Sequence, residues 1–200
     1  MAVQQAIRGY GEVLNEVLAL SDSDLIARYR RGLESFDPRL FELTDEQMDT
    51  AFLPDANVGR WPVRVLVGHL ADADLATSHR MRRTVSEDNP VLSVWDENAF
   101  IDAGLYADGR FPVGGFVAVL HTLRRWTSEW LATLTPEQLA RQAMHPERGP
   151  LTVRQMLGMT TWHLEHHAKF LNAKICKMLG PAPAASGGGC GAGCGCHGKK

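Results

Sequence analysis

Apolar residues recur about every 3.6 positions in four long segments of this sequence, whereas alternating apolar runs bounded by hairpin dipeptides are not found. A period of 3.6 places those residues on one face of an α-helix, and such a helix must bury that face against another element. The sequence therefore predicts an all-α fold in which four helices form a bundle around one core.

Capping signals and helix breakers give the expected bounds of these helices. Thr-x-x-Gln capping boxes begin at Thr44, Thr135 and Thr152, and the Ser-Asp-Ser-Asp run at 21–24 can cap a further helix. The predicted helices are a preliminary one over 3–20 and bundle helices over about 24–43, 61–85, 114–134 and 152–179. Pro38 is expected to break or kink the first bundle helix.

A long connection at 86–112 separates the second and third bundle helices. Connections of this length within a compact domain are usually functional or partly helical, and one is needed where a bundle crosses to a parallel neighbour. We therefore expect an N-terminal helical extension at 1–23, a four-helix bundle with a long crossover connection at 24–180, and a flexible, disordered Gly/Cys-rich tail at 181–200.

The charge and composition of the chain argue against several classes of protein. A net charge of −2 and a pI near 6.4 offer no basic surface for nucleic acid, and nearby acids dilute the arginine clusters at 28–31, 80–83 and 124–125. No window approaches the roughly 18 uninterrupted apolar residues of a membrane span, and residues 1–10 lack a signal-peptide pattern. Of the four cysteines only Cys176 precedes the tail, so the bundle cannot be cross-linked by disulfides among its own residues. We expect a cytoplasmic protein without membrane or nucleic-acid partners.

Three histidines are candidates for a metal site. His163 and His167 are spaced i,i+4 on the inward stripe of the fourth bundle helix, and His69 lies beside the inward stripe of the second. Imidazoles that meet in an apolar bundle would leave lone pairs unpaired, and one divalent cation would satisfy all three. Three neutral histidine ligands also leave coordination positions for water or substrate, as in catalytic rather than structural sites.

The alternative for these histidines is a structural role, because core or partly exposed histidines are commoner than metal ligands at i,i+4 spacing. Asp72, one turn from His69, and His166 are candidates to orient the ligands or shuttle protons, or are solvated surface residues. His79 and His121 are expected on the solvent side of their helices and His145 in a loop, all three without a site role.

The C-terminal tail offers a second set of metal ligands. It contains three thiols and one imidazole within eight residues, namely Cys190, Cys194, Cys196 and His197. This set suits a soft metal ion, although its spacing matches no closed zinc-finger pattern. A solvated tail with incidental thiols and a redox role for those thiols are the alternatives.

The amino-acid sequences of several segments resemble those of one family of metalloproteins. These segments are Trp61-Pro62-Val63-Arg64, Gly68-His69-Leu70-Ala71-Asp72, the run from Gly149 to Leu157, and His163-x3-His167. Together they resemble the DinB-like (YfiT-like) superfamily over about residues 24–179. The resemblance implies a four-helix bundle with an unusual crossover connection and a divalent metal bound by His69, His163 and His167. It also implies membership of a set that includes thiol-dependent S-transferases and isomerases using mycothiol or bacillithiol.

These observations favour a metal-dependent enzyme, either a thiol S-transferase or a hydrolase acting on a small electrophilic substrate. A non-catalytic metal-binding or stress-response protein with a chelating tail is the alternative, and a purely structural bundle is a third. Three imidazoles suit zinc, nickel, cobalt, copper or iron, of which zinc and nickel are expected first. A low-molecular-weight thiol would be the co-substrate of the transferase, and pairing of bundles into a homodimer is a further prediction.

Overall fold

The computed structural model describes residues 10–107 and 109–182. Its helices are α1 (Tyr10–Leu18), α2 (Asp22–Arg30), α3 (Asp45–Met48), α4 (Val63–Ser86), α5 (Glu97–Asp102), α6 (Val113–Leu131), α7 (Pro136–Leu139) and α8 (Val153–Leu179). Three short 3-10 turns cover Gly32–Ser35, Pro38–Glu42 and Pro54–Ala56. Two strands, β1 (Gln142–His145) and β2 (Gly149–Thr152), precede α8. The predicted tail ligands Cys190, Cys194, Cys196 and His197 lie outside the described residues.

The predicted four-helix bundle with a long connection between its second and third helices is confirmed. Helices α2 and α4 each pack against both α6 and α8, and α1 lies on α8. The predicted Thr-x-x-Gln boxes form at the start of α3, α7 and α8, where each threonine and glutamine satisfies a backbone N–H of the other. In the described part of the chain, no helix combines the length and the apolar character that a membrane crossing requires.

The first bundle helix is shorter than the sequence predicts. Helix α2 ends at Arg30 rather than near residue 43, and two 3-10 turns replace its expected second half. Pro38 opens the second turn, where its missing N–H costs nothing. At Gly32, an added Cβ would lie 2.3 Å from Nη1 of Arg124, so the chain passes that guanidinium too closely for a side chain. The tertiary position of Arg124 therefore accounts for the glycine that follows the end of α2.

The all-α fold includes one small β-hairpin that the sequence did not predict. Strands β1 and β2 form an antiparallel hairpin in which Gln142 pairs with Thr152 and His145 pairs with Gly149. Each strand has only four residues, too few for a clear two-residue period. Met144 of β1 also exchanges backbone hydrogen bonds with Pro90 and Leu92, at 2.9 Å each. The hairpin thereby ties the start of the crossover connection to the bundle.

A buried polar network joins all four bundle helices. Arg124 of α6 donates from Nε to Asp74 Oδ2 of α4 at 2.6 Å and from Nη1 to the carbonyl of Tyr29 in α2 at 2.9 Å. Its Nη2 donates to the Thr160 carbonyl in α8 at 3.1 Å, and the Thr160 hydroxyl donates to Asp74 Oδ1 at 2.6 Å. Arg124 and Asp74 are only 1% and 2% exposed. Each charge is paired and hydrogen-bonded, as burial requires.

Removing one member of this network should destabilise the bundle strongly. The Arg124→Ala variant leaves the Asp74 carboxylate buried without its counter-charge, and we expect the free energy of unfolding to fall by about 3–5 kcal/mol. Urea denaturation followed by circular dichroism at pH 7 measures the change. The neighbouring Arg125→Ala variant is the matched control, because Arg125 is exposed and pairs with Glu129 at i,i+4, a pair worth under about 1 kcal/mol. Equal losses in the two variants would contradict the role of the network.

Candidate metal centre

Packing of α4 against α8 brings the three predicted histidines together. His69 lies on α4, His163 and His167 lie on α8, and one ring nitrogen from each falls within 4.8 Å of the other two. The Nε2 atoms of His69 and His163 are 3.2 Å apart. His69 is 3% exposed, and the other two are half-buried. The geometry is that of three side chains converging on one point between two helices.

Burial keeps these imidazoles neutral. Desolvation is the main cause that lowers the pKa of each of the three, and the neighbouring imidazoles lower the pKa of His163 and His167 further. The pKa of His167 falls to about 3, and that of His163 lies well below its usual range. A neutral imidazole presents a nitrogen lone pair, which is the form that binds metal.

The donor set fits a divalent metal ion. The converging ligand atoms are all imidazole nitrogens, which suit zinc, nickel, copper and iron better than calcium or magnesium. Nδ1 of His69 is buried and has no hydrogen-bond partner among the described residues. With the proton on that Nδ1, Nε2 of His69 is free to act as the ligand toward His163 and His167.

Two tryptophans form aromatic walls around the histidines. Trp61 stacks on His167 with ring centroids 5.9 Å apart, and Trp95 stacks on His69 at 5.5 Å. Trp61 follows a loop whose Val58 and Gly59 carbonyls accept hydrogen bonds from the buried Lys174 ammonium. The loop before α4 and the crossover connection therefore each supply one ring that restricts how the imidazoles can rotate.

The two predicted supporting residues lie close to the histidines but make other contacts. Asp72 accepts a hydrogen bond from the Tyr106 hydroxyl at 2.6 Å, and its charge opposes the lowering of the His69 pKa. His166 stacks on Trp162 at 4.7 Å and meets His167 edge-on at 5.4 Å. Neither forms a hydrogen bond with the three histidines within the described residues. Their orienting and proton-shuttling roles stay predictions.

A cavity of about 420 Å³ opens beside the three histidines. Its lining includes apolar and aromatic side chains from α8, the side chain of Arg80 from α4, and residues of the β1–β2 hairpin. A volume of this size is typical of small-molecule sites. The three histidines stand at its wall, so a reactant in the cavity can reach them.

His145 was expected in a loop, and this is wrong. It ends β1, is 9% exposed and lines the cavity. Arg80, one of the arginine cluster at 80–83 that nearby acids dilute, also lines the cavity. Both positions depend on a hairpin that the sequence did not reveal and on a connection that folds back over α4. The other two histidines assigned no site role, His79 and His121, are exposed as predicted.

Comparisons with known proteins agree with this fold. The family model described as the DinB superfamily matches residues 28–171. A protein of Oceanobacillus iheyensis is 32% identical over 139 residues, covering 69% of this chain and 76% of its own length. YfiT of Bacillus subtilis is 34% identical over 127 residues, covering 62% and 67% respectively. Both relatives carry the provisional name of metal-dependent hydrolase.

A solved structure of Bacillus subtilis YfiT, described as a four-helix bundle of unusual topology, superposes on this chain with a TM-score of 0.61. The match covers 90% of this chain and 94% of the other at 24% identity. At that identity the match supports the fold alone.

The buried histidines should make the metal-free protein sensitive to mild acid. Their folded-state pKa values lie below the unfolded value near 6.5, so the unfolded state binds more protons as the pH falls below 6.5. The free energy of unfolding should therefore decrease with falling pH, by up to about 1.4 kcal/mol per pH unit for each such histidine. For His167 the loss continues toward its folded pKa of about 3.

Urea denaturation in EDTA at pH 7, 6 and 5 measures this slope. In the His167→Asn variant the slope should be smaller by up to about 1.4 kcal/mol per pH unit. The His121→Asn variant, altered at an exposed histidine, should keep the wild-type slope. An unchanged slope in His167→Asn would show that this imidazole is not held neutral by burial.

Proposed function

This chain belongs to the DinB superfamily, and from that premise we propose that it is a metal-dependent hydrolase with a divalent ion held by His69, His163 and His167. The observation that carries the proposal is the convergence of three neutral imidazoles at the wall of a cavity of about 420 Å³. The provisional names of the Oceanobacillus iheyensis and Bacillus subtilis relatives support hydrolysis as the reaction class.

Three protein ligands leave room in the coordination shell for a reactant. A divalent ion there supplies Lewis acidity, which makes water acidic enough to act as a nucleophile near neutral pH and polarises a substrate oxygen. Among the ions that imidazole favours, we propose zinc or nickel.

The chain's own contribution is to hold the three imidazoles and to surround the reactants. The two histidines of α8 lie one helical turn apart, and α4 presents His69 to them across the helix interface. Stacking on Trp61 and Trp95 limits rotation of the His167 and His69 rings. Aromatic and apolar walls lower the local dielectric, which strengthens electrostatic interactions with a bound substrate. The size of the cavity supports a small molecule as the substrate.

The thiol S-transferase predicted from the family resemblance shares these ligands and differs in its nucleophile. Water and a low-molecular-weight thiol would both be activated by the same Lewis acid. The relatives' names favour water, so the transferase reaction stays a prediction and becomes an outcome of the test below.

Substitution of the α8 histidines should remove the metal and the activity together. Metal content is measured by plasma mass spectrometry in a background that carries Cys190→Ser, Cys194→Ser, Cys196→Ser and His197→Ala, so that tail ligands do not contribute. We expect about one ion per chain in that background and nearly none after His163→Ala and His167→Ala are added. The rate of ester, amide or phosphoester hydrolysis should fall by more than about 100-fold, since substitutions outside the ligands alone cost roughly 10–100-fold.

The matched control changes the two exposed histidines, His79→Ala and His121→Ala, in the same background. Metal content and hydrolysis should stay at the parental level, and chelation should abolish hydrolysis until zinc or nickel is restored. Equal metal content in the two double variants would overturn the ligand assignment. Metal-dependent conjugation of a thiol to an electrophile, without hydrolysis of any panel member, would overturn the hydrolase in favour of the S-transferase.

A further inference from the structure

The cavity carries positive charge at a distance from the three histidines. Arg80 and His69 lie on the same helix, eleven residues apart, which is about three turns and returns to nearly the same helix face. Both side chains line the cavity. A molecule in the cavity can therefore contact the histidines at one end and Arg80 at the other. The backbone positions of His69 and Arg80 are about 16 Å apart along the axis of α4, and the two side chains shorten the gap between their polar groups.

Arg80 is a half-buried cation without an ion-pair partner among the described residues. Its Nη2 donates to the Ser93 carbonyl at 2.7 Å, and its other guanidinium nitrogens make no hydrogen bond within the described part of the chain. Burial partly desolvates the guanidinium and so lowers its pKa. A desolvated cation is costly unless an anion accompanies it. Arg83 pairs with Glu87. Arg82 also lacks an ion-pair partner among the described residues, but it stacks on Trp126 and does not line the cavity.

His145 adds a neutral donor beside Arg80. Its Nδ1 accepts a hydrogen bond from the Glu147 backbone N–H at 3.2 Å, so the neutral ring carries its proton on Nε2. Burial lowers the pKa of His145, and the nearby charges of Arg80 and Arg148 lower it further. Nε2–H of His145 makes no hydrogen bond within the described residues and lies on a ring that lines the cavity. Two donors at one end of a cavity favour an acceptor with two oxygens.

The remaining cavity walls are mostly apolar, and the exceptions are the charged residues Glu97, Glu147 and Arg148 and two threonines. Trp95, Trp162 and Met159 are among the apolar residues that line the cavity. Glu97 and Glu147 also line the cavity, and Glu147 is exposed near Arg80, where its charge opposes the lowering of the Arg80 pKa. Glu147 reduces the attraction of this end for anions without forming an ion pair with Arg80.

We propose that Arg80, together with Nε2–H of His145, binds the carboxylate of a small substrate with an apolar body. The planar guanidinium matches the two oxygens of a carboxylate, and the aromatic walls match the body. The substrate class is thus a carboxylic acid that carries a hydrolysable bond several atoms from the acid group. The position of that bond rests on the proposed function, whereas recognition of the carboxylate does not.

Binding of two matched probes to the metal-free full chain tests the proposal. Phenylacetate and phenylacetamide differ in the charged group alone, and the fluorescence of Trp95 and Trp162 reports occupancy of the cavity. In EDTA, the wild type should bind phenylacetate at least about tenfold more tightly than phenylacetamide. Arg80→Met should abolish this preference while phenylacetamide affinity stays the same. The control Arg83→Met, on the same helix but paired with Glu87, should keep the preference.

A second variant tests the proposal independently, in case Arg80→Met disrupts the cavity itself. Glu147→Gln removes the acid beside Arg80, and it should tighten phenylacetate binding several-fold with no effect on phenylacetamide. Equal affinity of the wild type for the two probes, or no saturable binding of phenylacetate, would overturn the assignment. Equal losses in Arg80→Met and Arg83→Met would do the same. Because no metal and no turnover are involved, a failed hydrolase assay leaves this result standing, and the reverse also holds.

Discussion

The ion pair of Asp74 and Arg124 is the interaction on which the rest of the bundle depends. Along α4, α6 and α8, its members and Thr160 stand between two apolar clusters, so they fix how far each helix can slide or rotate against the others. Thr160 lies one turn before His163, and Asp74 lies five residues after His69. The desolvation cost of a buried ion pair offsets much of its contribution to the free energy of unfolding. Its hydrogen bonds, however, can form in only one arrangement of these helices. The meeting of the histidines across α4 and α8 follows from that arrangement.

The helices and the three central histidines could be predicted because their signals are local. A 3.6-residue period, a capping box and an i,i+4 spacing each depend on residues within a few turns of one helix. The burial of Arg124 could not be predicted in the same way, because its partner Asp74 lies 50 residues away and only packing brings the two together. In the local sequence, Arg124 is one of two adjacent arginines, and nothing nearby distinguishes it from the exposed Arg125. The early end of α2 was missed for the same reason, since the guanidinium that passes Gly32 belongs to α6.

The end of the cavity that carries Arg80 and His145 could not be predicted from the sequence, because it is formed by backbone pairing between segments that are distant in the chain. Four-residue strands give no reliable period, and β1 pairs both with β2 and with the segment around Val91 in the crossover connection. That double pairing turns His145 into a cavity residue. Arg80 becomes a cavity residue because the crossover connection, through the Ser93 carbonyl, holds its guanidinium in place. Neither position has a signal in the sequence around it.

The cavity is thus formed by two kinds of structure, which differ in how readily their sequences can change without disturbing the fold. The end of the cavity that carries the three histidines stands on the long helices α4 and α8, which the buried polar network holds in register. About half of its remaining wall comes from the hairpin and the crossover connection, where side chains or loop length can change without disturbing the helix packing. A shift in those segments would alter which substrate fits and would leave the three imidazoles in place. Membership of the superfamily therefore indicates the metal chemistry of a chain more closely than it indicates the substrate.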